Sequence, residues 1–196
     1  MSSYSDGNFY NANTRLNPFL VECVSDVKPG ISIDFGCGIG TNSHYLQQNG
    51  WDVYLIDREE IAIKALSNRF DSNKVFQNDI TNMDFSKLPM CNLVLCNYVL
   101  QHLPVQCAYS FINNAISKLQ PLGYLVVSIF ERENAISFSE LDNHLKSLNG
   151  ILIKKKSWCR LDSDHGPVHF HSGIECFWRF RKDDCTIKKV INNNVD

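Results

Sequence analysis

The 196-residue sequence predicts an α/β domain built on a mostly parallel sheet. Three observations carry that expectation. Short β-rich runs alternate with stretches of helical periodicity along most of the chain. The run Asn92-Leu93-Val94-Leu95-Cys96 is apolar with little alternation, the pattern of a strand buried on both faces. A glycine-rich turn, Gly36-Cys37-Gly38-Ile39-Gly40, stands between a β-rich run and a helical one.

The elements follow in order. The first 17 residues are polar with interspersed aromatics, Tyr4, Phe9 and Tyr10, and show neither strand nor helix periodicity. A helix opens near Pro18, because proline suits a first helical turn, and it ends by Lys28-Pro29-Gly30. Ile31 to Phe35 is the first strand. Thr41 to Asn49 is a helix closed by Gly50. Val53 to Ile56 is the second strand, ending at Asp57. Glu59 to Phe70 is an amphipathic helix with Ile61, Ala65 and Leu66 on one face and Ile63 and Phe70 at its margins. A short third strand holds Val75-Phe76, and Asn92 to Cys96 is the fourth. Pro104 to Leu119 is helical. After the turn Gln120-Pro121-Leu122-Gly123 comes the fifth strand, Tyr124 to Phe130. Ser137-Phe138-Ser139-Glu140 is a capping box opening a helix that runs to Asn149-Gly150. Ile151 to Leu161 and Ile174 to Phe180 read as two strands. Their connection holds Gly166, Pro167 and Gly173 but no helix, so they form an antiparallel hairpin.

Size and composition exclude several classes. With 44% hydrophobic residues the chain suits one domain with a substantial core. We expect an N-terminal lid segment and helix over 1–30, the main domain over 31–182 and a tail over 183–196. The net charge of −2 lacks the basic excess of nucleic-acid binders. The one basic cluster, Lys154-Lys155-Lys156, reads as a solvated strand edge. No apolar run approaches the ~20 residues a membrane span needs, and the start resembles no secretory signal. The eight cysteines show no C-x-x-C pair and read as buried thiols of a reducing compartment. These readings predict a cytoplasmic protein without membrane or nucleic-acid partners.

The glycine turn sits where a backbone must bend sharply and let a ligand approach closely. Asp57 comes about 20 residues after Gly36, where an acid holds a ribose hydroxyl pair in nucleoside-binding α/β folds. Asp79, just past the third strand, can accept a hydrogen bond from an adenine amino group, with Ile80 against the ring. A dinucleotide site remains a rival for the turn alone. Its fingerprint ends in a small residue, whereas Thr41 stands there and the glycines read G-x-G-x-G.

In combination these segments resemble the class I S-adenosylmethionine-dependent methyltransferases, over roughly residues 31 to 181. Asp34 to Gly40 looks like that family's first motif. Asp57 and Asn78-Asp79-Ile80 match its second and third, and Asn97 to Pro104 its fourth-strand motif. Leu119-Gln120-Pro121-Leu122-Gly123 resembles its L-x-P-G-G turn, with Leu122 departing at the first glycine. The resemblance implies a Rossmann-like seven-stranded sheet of order 3-2-1-4-5-7-6, last strand antiparallel, with helices on both faces. It implies S-adenosylmethionine as cofactor. Asp34, Gly36, Gly38 and Gly40 then face the methionine and ribose, and Asp57 the ribose hydroxyls. Arg58 borders the adenine, Asp79 and Ile80 hold it, and Asn97 lies near the methionyl amino group and the reactive methyl. His102 reads as a packing or capping residue.

The least ordinary stretch is Asp162 to Ser172, with three of the six histidines, His165, His169 and His171. The hairpin turn falls at the edge where open α/β sheets bind ligands. These histidines could orient or deprotonate an acceptor, bind a metal with Asp164, or be ordinary hairpin residues. We take the first as the expectation: a catalytic cluster and no metal. The stretch is more loosely similar to bacterial small-molecule methyltransferases, including the tellurite-resistance type. We therefore expect a small-molecule acceptor, and a lid carrying Tyr10 and Arg15. Two other classes stay open, a non-catalytic cofactor-binding module and a nicotinamide-dependent reductase.

Overall fold

Strand β4 (Cys91–Asn97) is the axis of the molecule. Leu93, Val94, Leu95 and Cys96 are all fully buried, so both of its faces are covered. The computed structural model describes residues 15–130, 132–162 and 169–181. The expected lid residue Tyr10, the tail, Asp164 and His165 lie outside them.

Around β4 lie β1 (Ile31–Phe35), β2 (Asp52–Asp57), β3 (Val75–Gln77), β5 (Leu119–Phe130), β6 (Gly150–Asp162) and β7 (His169–Phe180). The order is β3-β2-β1-β4-β5-β7-β6. Strands β1 to β5 pair in parallel, and β7 runs antiparallel to both β5 and β6. Both the order and the terminal antiparallel strand match the expectation.

Alternate residues of the strands enter two cores. Leu55, Leu93, Leu95, Val126 and Phe177 pack with Phe19 and Leu20 of α1 (Pro18–Val24), Leu46 of α2 (Thr41–Gln48) and Leu66 of α3 (Glu60–Ser67). Ile33, Phe35, Val94, Cys96 and Val127 pack on the other face with Phe111 and Ile112 of α4 (Val105–Ser117) and Leu141 and Leu145 of α5 (Phe138–Ser147). The α5 capping box forms as read, with Ser137 Oγ accepting from Glu140 N at 3.3 Å and Glu140 Oε2 accepting from Ser137 N at 2.9 Å. The lysine triplet lies on the edge strand β6. Lys154 pairs with Glu22 of α1, and Lys155 sits 3.8 Å from the centroid of the Phe138 ring.

Three readings need correction. On α3 the buried line is Ala62 and Leu66, continued by Phe70, while Ile61 is 42% exposed. The helix is rotated from the expected face, with Ala62 and Leu66 fully buried and Ala65 only partly so. Second, β5 begins at Leu119, and Gln120 to Gly123 form a bulge within it, where the β4–β5 register shifts between Cys91 and Leu93. Third, β7 starts at His169 rather than Ile174. The last β5–β7 pair is Phe130–Gly173, yet the β6–β7 ladder continues through Cys159–Ser172, Arg160–His171, Leu161–Phe170 and Asp162–His169. Backbone pairing alone carries the hairpin beyond the sheet as a two-stranded ribbon, so side-chain polarity did not reveal it.

Leu122 holds φ at 65° and is 48% exposed. A left-handed conformation costs a β-carbon residue about 1–2 kcal/mol, part of which glycine returns through its freer unfolded chain. Leu122→Gly is expected to stabilise the fold by about 0.5–1 kcal/mol in chemical denaturation.

Candidate functional site

The parallel strands end together at one edge, and there β1 runs into the glycine turn. Gly36 N and Cys37 N donate to Ile56 O of β2, at 2.8 and 3.1 Å. Gly36, Gly38 and Gly40 hold φ of 68°, 55° and 76°, a region that side chains disfavour. Space is equally restrictive: a Cβ on Gly36 would lie 2.3 Å from Val99 Cγ2, and one on Gly40 2.5 Å from Leu66 Cδ2.

Asp57 closes the turn from β2. Its carboxylate accepts from Gly38 N at 2.8 Å and Glu59 N at 3.0 Å, and it is 8% exposed. Burial raises its pKa against the pull of those amides. Asp34 is more enclosed, at 2% exposure, with Ser43 Oγ donating to it at 2.5 Å. Burial pushes its carboxyl up to about 7; the Ser43 bond opposes this and the Asp57 charge adds to it.

The expected adenine residues lie beyond β2 and β3. Arg58 is solvent-exposed, its Nε 3.1 Å from Glu59 Oε1. Asp79 Oδ1 accepts from Thr81 N and Oγ1, which lowers its pKa. Ile80 is buried in the α4-side core, so it backs this region from below. His102 occupies a short 3-10 turn with Nε2 3.3 Å from Gln101 Nε2. Desolvation of the ring, helped by the charges of Arg132 and Arg58, lowers its pKa, which agrees with a neutral ring accepting from the amide, while the residue as a whole is exposed.

At the end of β4, Asn97 Oδ1 accepts from Ser128 Oγ at 2.9 Å, while its Nδ2 is buried and has no partner among the described residues. Ser128 Oγ in turn accepts from Asn17 Nδ2 at 3.3 Å. Asn17 was legible only as the residue before Pro18. In the structure it caps α1 with its Oδ1, donates its own N–H to Asn42 Oδ1, and reaches the end of β4 through Ser128. Ser128 is a lone polar residue in the apolar run of β5, a signal the sequence did contain.

The structure brings Asp34, Asp57, Asn97 and the three glycines to one edge. It does not assemble the histidine cluster among the described residues. His171 lies in β7 with its ring 5.5 Å from Phe130, and His169 is a β7 residue opposite Asp162. No group of metal-ligating side chains occurs among the described residues. No described helix is long and apolar enough to cross a membrane.

The raised Asp34 pKa carries a stability consequence. The folded state binds this proton more tightly than the unfolded chain, so the contribution is complete below about pH 4 and is lost as pH rises through about 7. Asp34→Asn keeps a neutral group there. Its stability relative to wild type should improve by up to a few kcal/mol between pH 4 and 8, measured by denaturant titration across that range.

Comparison with known proteins agrees with this geometry. None of the curated proteins matches the sequence. Among solved structures the fold is similar to TehB from Haemophilus influenzae, with TM-score 0.73 and 19% identity over 89% of this chain; the match spans 65% of that longer protein. It is similar to 1,6-didemethyltoxoflavin-N1-methyltransferase from Burkholderia thailandensis, at 0.71 and 17% over 92% of this chain and 84% of that one. It is also similar to the N-methyltransferase NodS from Bradyrhizobium japonicum, at 0.67 and 16% over 84% of this chain and 85% of that one. A family model described as a methyltransferase domain matches residues 10–187. With nearly the whole chain inside that match, the protein belongs to the methyltransferase-domain family.

Proposed function

We propose that the protein transfers a methyl group from S-adenosylmethionine to a small-molecule acceptor. One observation carries the reading of the site: the buried amide nitrogen of Asn97 has no partner among the described residues, at the end of β4 beside the glycine turn. Buried donors are nearly always paired. Trp178 Nε1 and Arg179 Nε share this state elsewhere in the fold, but Asn97 Nδ2 lies at the ligand-binding edge of the sheet, where a ligand acceptor would complete it. The residues fit the cofactor. The three left-handed glycines carry no side chain, so a methionyl and ribose moiety can lie against the backbone of the turn, with Asn97 at the methionyl end. Asp57, held rigidly by two amides, is placed for ribose hydroxyls. Arg58, Asp79 and Ile80 border the adenine position. TehB, NodS and the 1,6-didemethyltoxoflavin-N1-methyltransferase share the fold, and NodS was crystallised with S-adenosylhomocysteine.

The bound cofactor would supply a methyl group activated on a sulfonium. The chain's part is alignment and exclusion of water, which can lower such a barrier by about 7–11 kcal/mol. Asp34, whose carboxyl burial raises to about 7, can be neutral in the empty site and ionise beside a cationic ligand. The hairpin histidines His165, His169 and His171 are the proposed acceptor-orienting or proton-accepting groups. The ribbon standing beyond β5 and the His171 contact with Phe130 support them. The family match sets aside a nicotinamide-dependent reductase; turnover would distinguish an enzyme from a binding module.

Calorimetry should show micromolar binding of S-adenosylmethionine and S-adenosylhomocysteine to the wild type. Asp57→Ala and Asp57→Asn should weaken it at least about tenfold, the worth of a charged hydrogen bond. A wild type that binds neither compound would overturn the reading.

A further inference from the structure

One buried acid has no part in the cofactor site. Asn97, Ser128, Glu175 and Lys156 are successive register partners across β4, β5, β7 and β6. Glu175 alternates with Phe177, which packs in the α1-side core, so it faces the same side as Asn97 and Ser128. Two strand spacings, about 10 Å, separate it from Asn97. That is the span of a small molecule.

Glu175 is 6% exposed. Its contacts among the described residues are neutral: Tyr98 Oη at 3.5 Å and the Asn17 side chain. No described residue forms an ion pair with it, since Lys156 is exposed on β6 and Lys154 pairs with Glu22. Buried carboxylates are ordinarily paired with a cation, and each can accept about four hydrogen bonds. Beside it stand three rings. Tyr98 and Phe130 stack at 4.6 Å, and Trp158 meets them edge-on at 6.2 and 5.5 Å. Two backbone features hold this wall. Tyr98 takes φ of 54°, rare for a bulky residue, and a Cβ on Gly173 would lie 2.5 Å from Trp158 Cζ2. Aromatic faces attract cations.

We propose that Glu175 is a specificity-determining residue of the acceptor site, and that the acceptor is a small molecule carrying a basic amine, held as its ammonium between the Glu175 carboxylate and the rings of Tyr98, Phe130 and Trp158. The inference rests on the methyl-transfer reading above. The groups around Glu175 set its titration: burial and Glu22 raise it, while Asn17, Lys156 and Tyr98 lower it, with burial prevailing. An ammonium favours the ionised acid, so amine affinity rises with pH as Glu175 ionises, above the ordinary carboxylate range.

The test uses the full chain saturated with S-adenosylhomocysteine and two pairs of near-isosteric probes: tyramine with 3-(4-hydroxyphenyl)propionate, and tryptamine with indole-3-propionate. Calorimetry or ligand-observed NMR should show at least about tenfold preference for each amine over its acid. Glu175→Gln should abolish that preference and its pH dependence, and Glu175→Asp should restore part of it. A purely structural Glu175 would leave both unmoved. Equal binding within each pair, binding of no probe, or a preference that survives in Glu175→Gln overturns the inference. Binding of S-adenosylhomocysteine is read on the same samples. Its loss in the wild type would instead indict the cofactor reading.

Discussion

The edge of this sheet depends on how the backbone leaves β1. Two amides of the turn donate to the single carbonyl of Ile56, and a third donates to the Asp57 carboxylate. With those three donors satisfied by β2, the chain reverses through three left-handed glycines without a side chain filling the bend. Every other feature of the site is placed relative to that fixed path. Asp34 sits beneath it on β1, Asn97 beside it on β4, and Leu66 of α3 and Phe70 just past that helix close it. Because Asp57 is engaged by amides, its orientation is set before any ligand arrives, which reduces the ordering cost of binding.

The sequence revealed most where one face of an element decides its fate. β1 was legible to the residue because Ile31, Ile33 and Phe35 alternate with Ser32 and Asp34, and Pro29-Gly30 and Gly36 bound it. The strand order came through the resemblance, and the terminal hairpin came independently from two β-rich runs joined without a helix. Misreadings arose where tertiary context outweighs local pattern. Ile61 is the more hydrophobic residue, yet the helix buries Ala62 and Leu66 and leaves Ile61 42% exposed. The ribbon from His169 to Gly173 is a strand by pairing and not by composition.

The site was half legible for a related reason. Asp34, Asp57 and the glycines belong to a contiguous, ordered pattern, so spacing finds them. Asn17, Ser128 and Glu175 come from three distant segments and acquire a common role only when α1, β5 and β7 meet. Asn17 is the clearest case. As a residue before proline it signals a helix cap, and it serves as one. Its amide then uses the remaining donor to reach Ser128, so the helix start is fastened to the end of β4.

Three carboxyls, Asp34, Asp57 and Glu175, lie on the α1 side of this sheet, each less than 10% exposed and each raised in pKa chiefly by burial. None has an ion-pair partner among the described residues. Such an arrangement is unfavourable for the empty protein, since buried ionised groups without counter-ions cost several kcal/mol or bind protons instead. It persists only if something offsets the cost. On the proposed reading, the ligands do: a methyl donor carries a sulfonium and an ammonium, and the acceptor a second amine. Positive charge entering this face would find acids that the fold has stripped of water and left unpaired. Part of the binding energy would then come from relieving that electrostatic debt, and discrimination against neutral or anionic molecules would follow from the same cause.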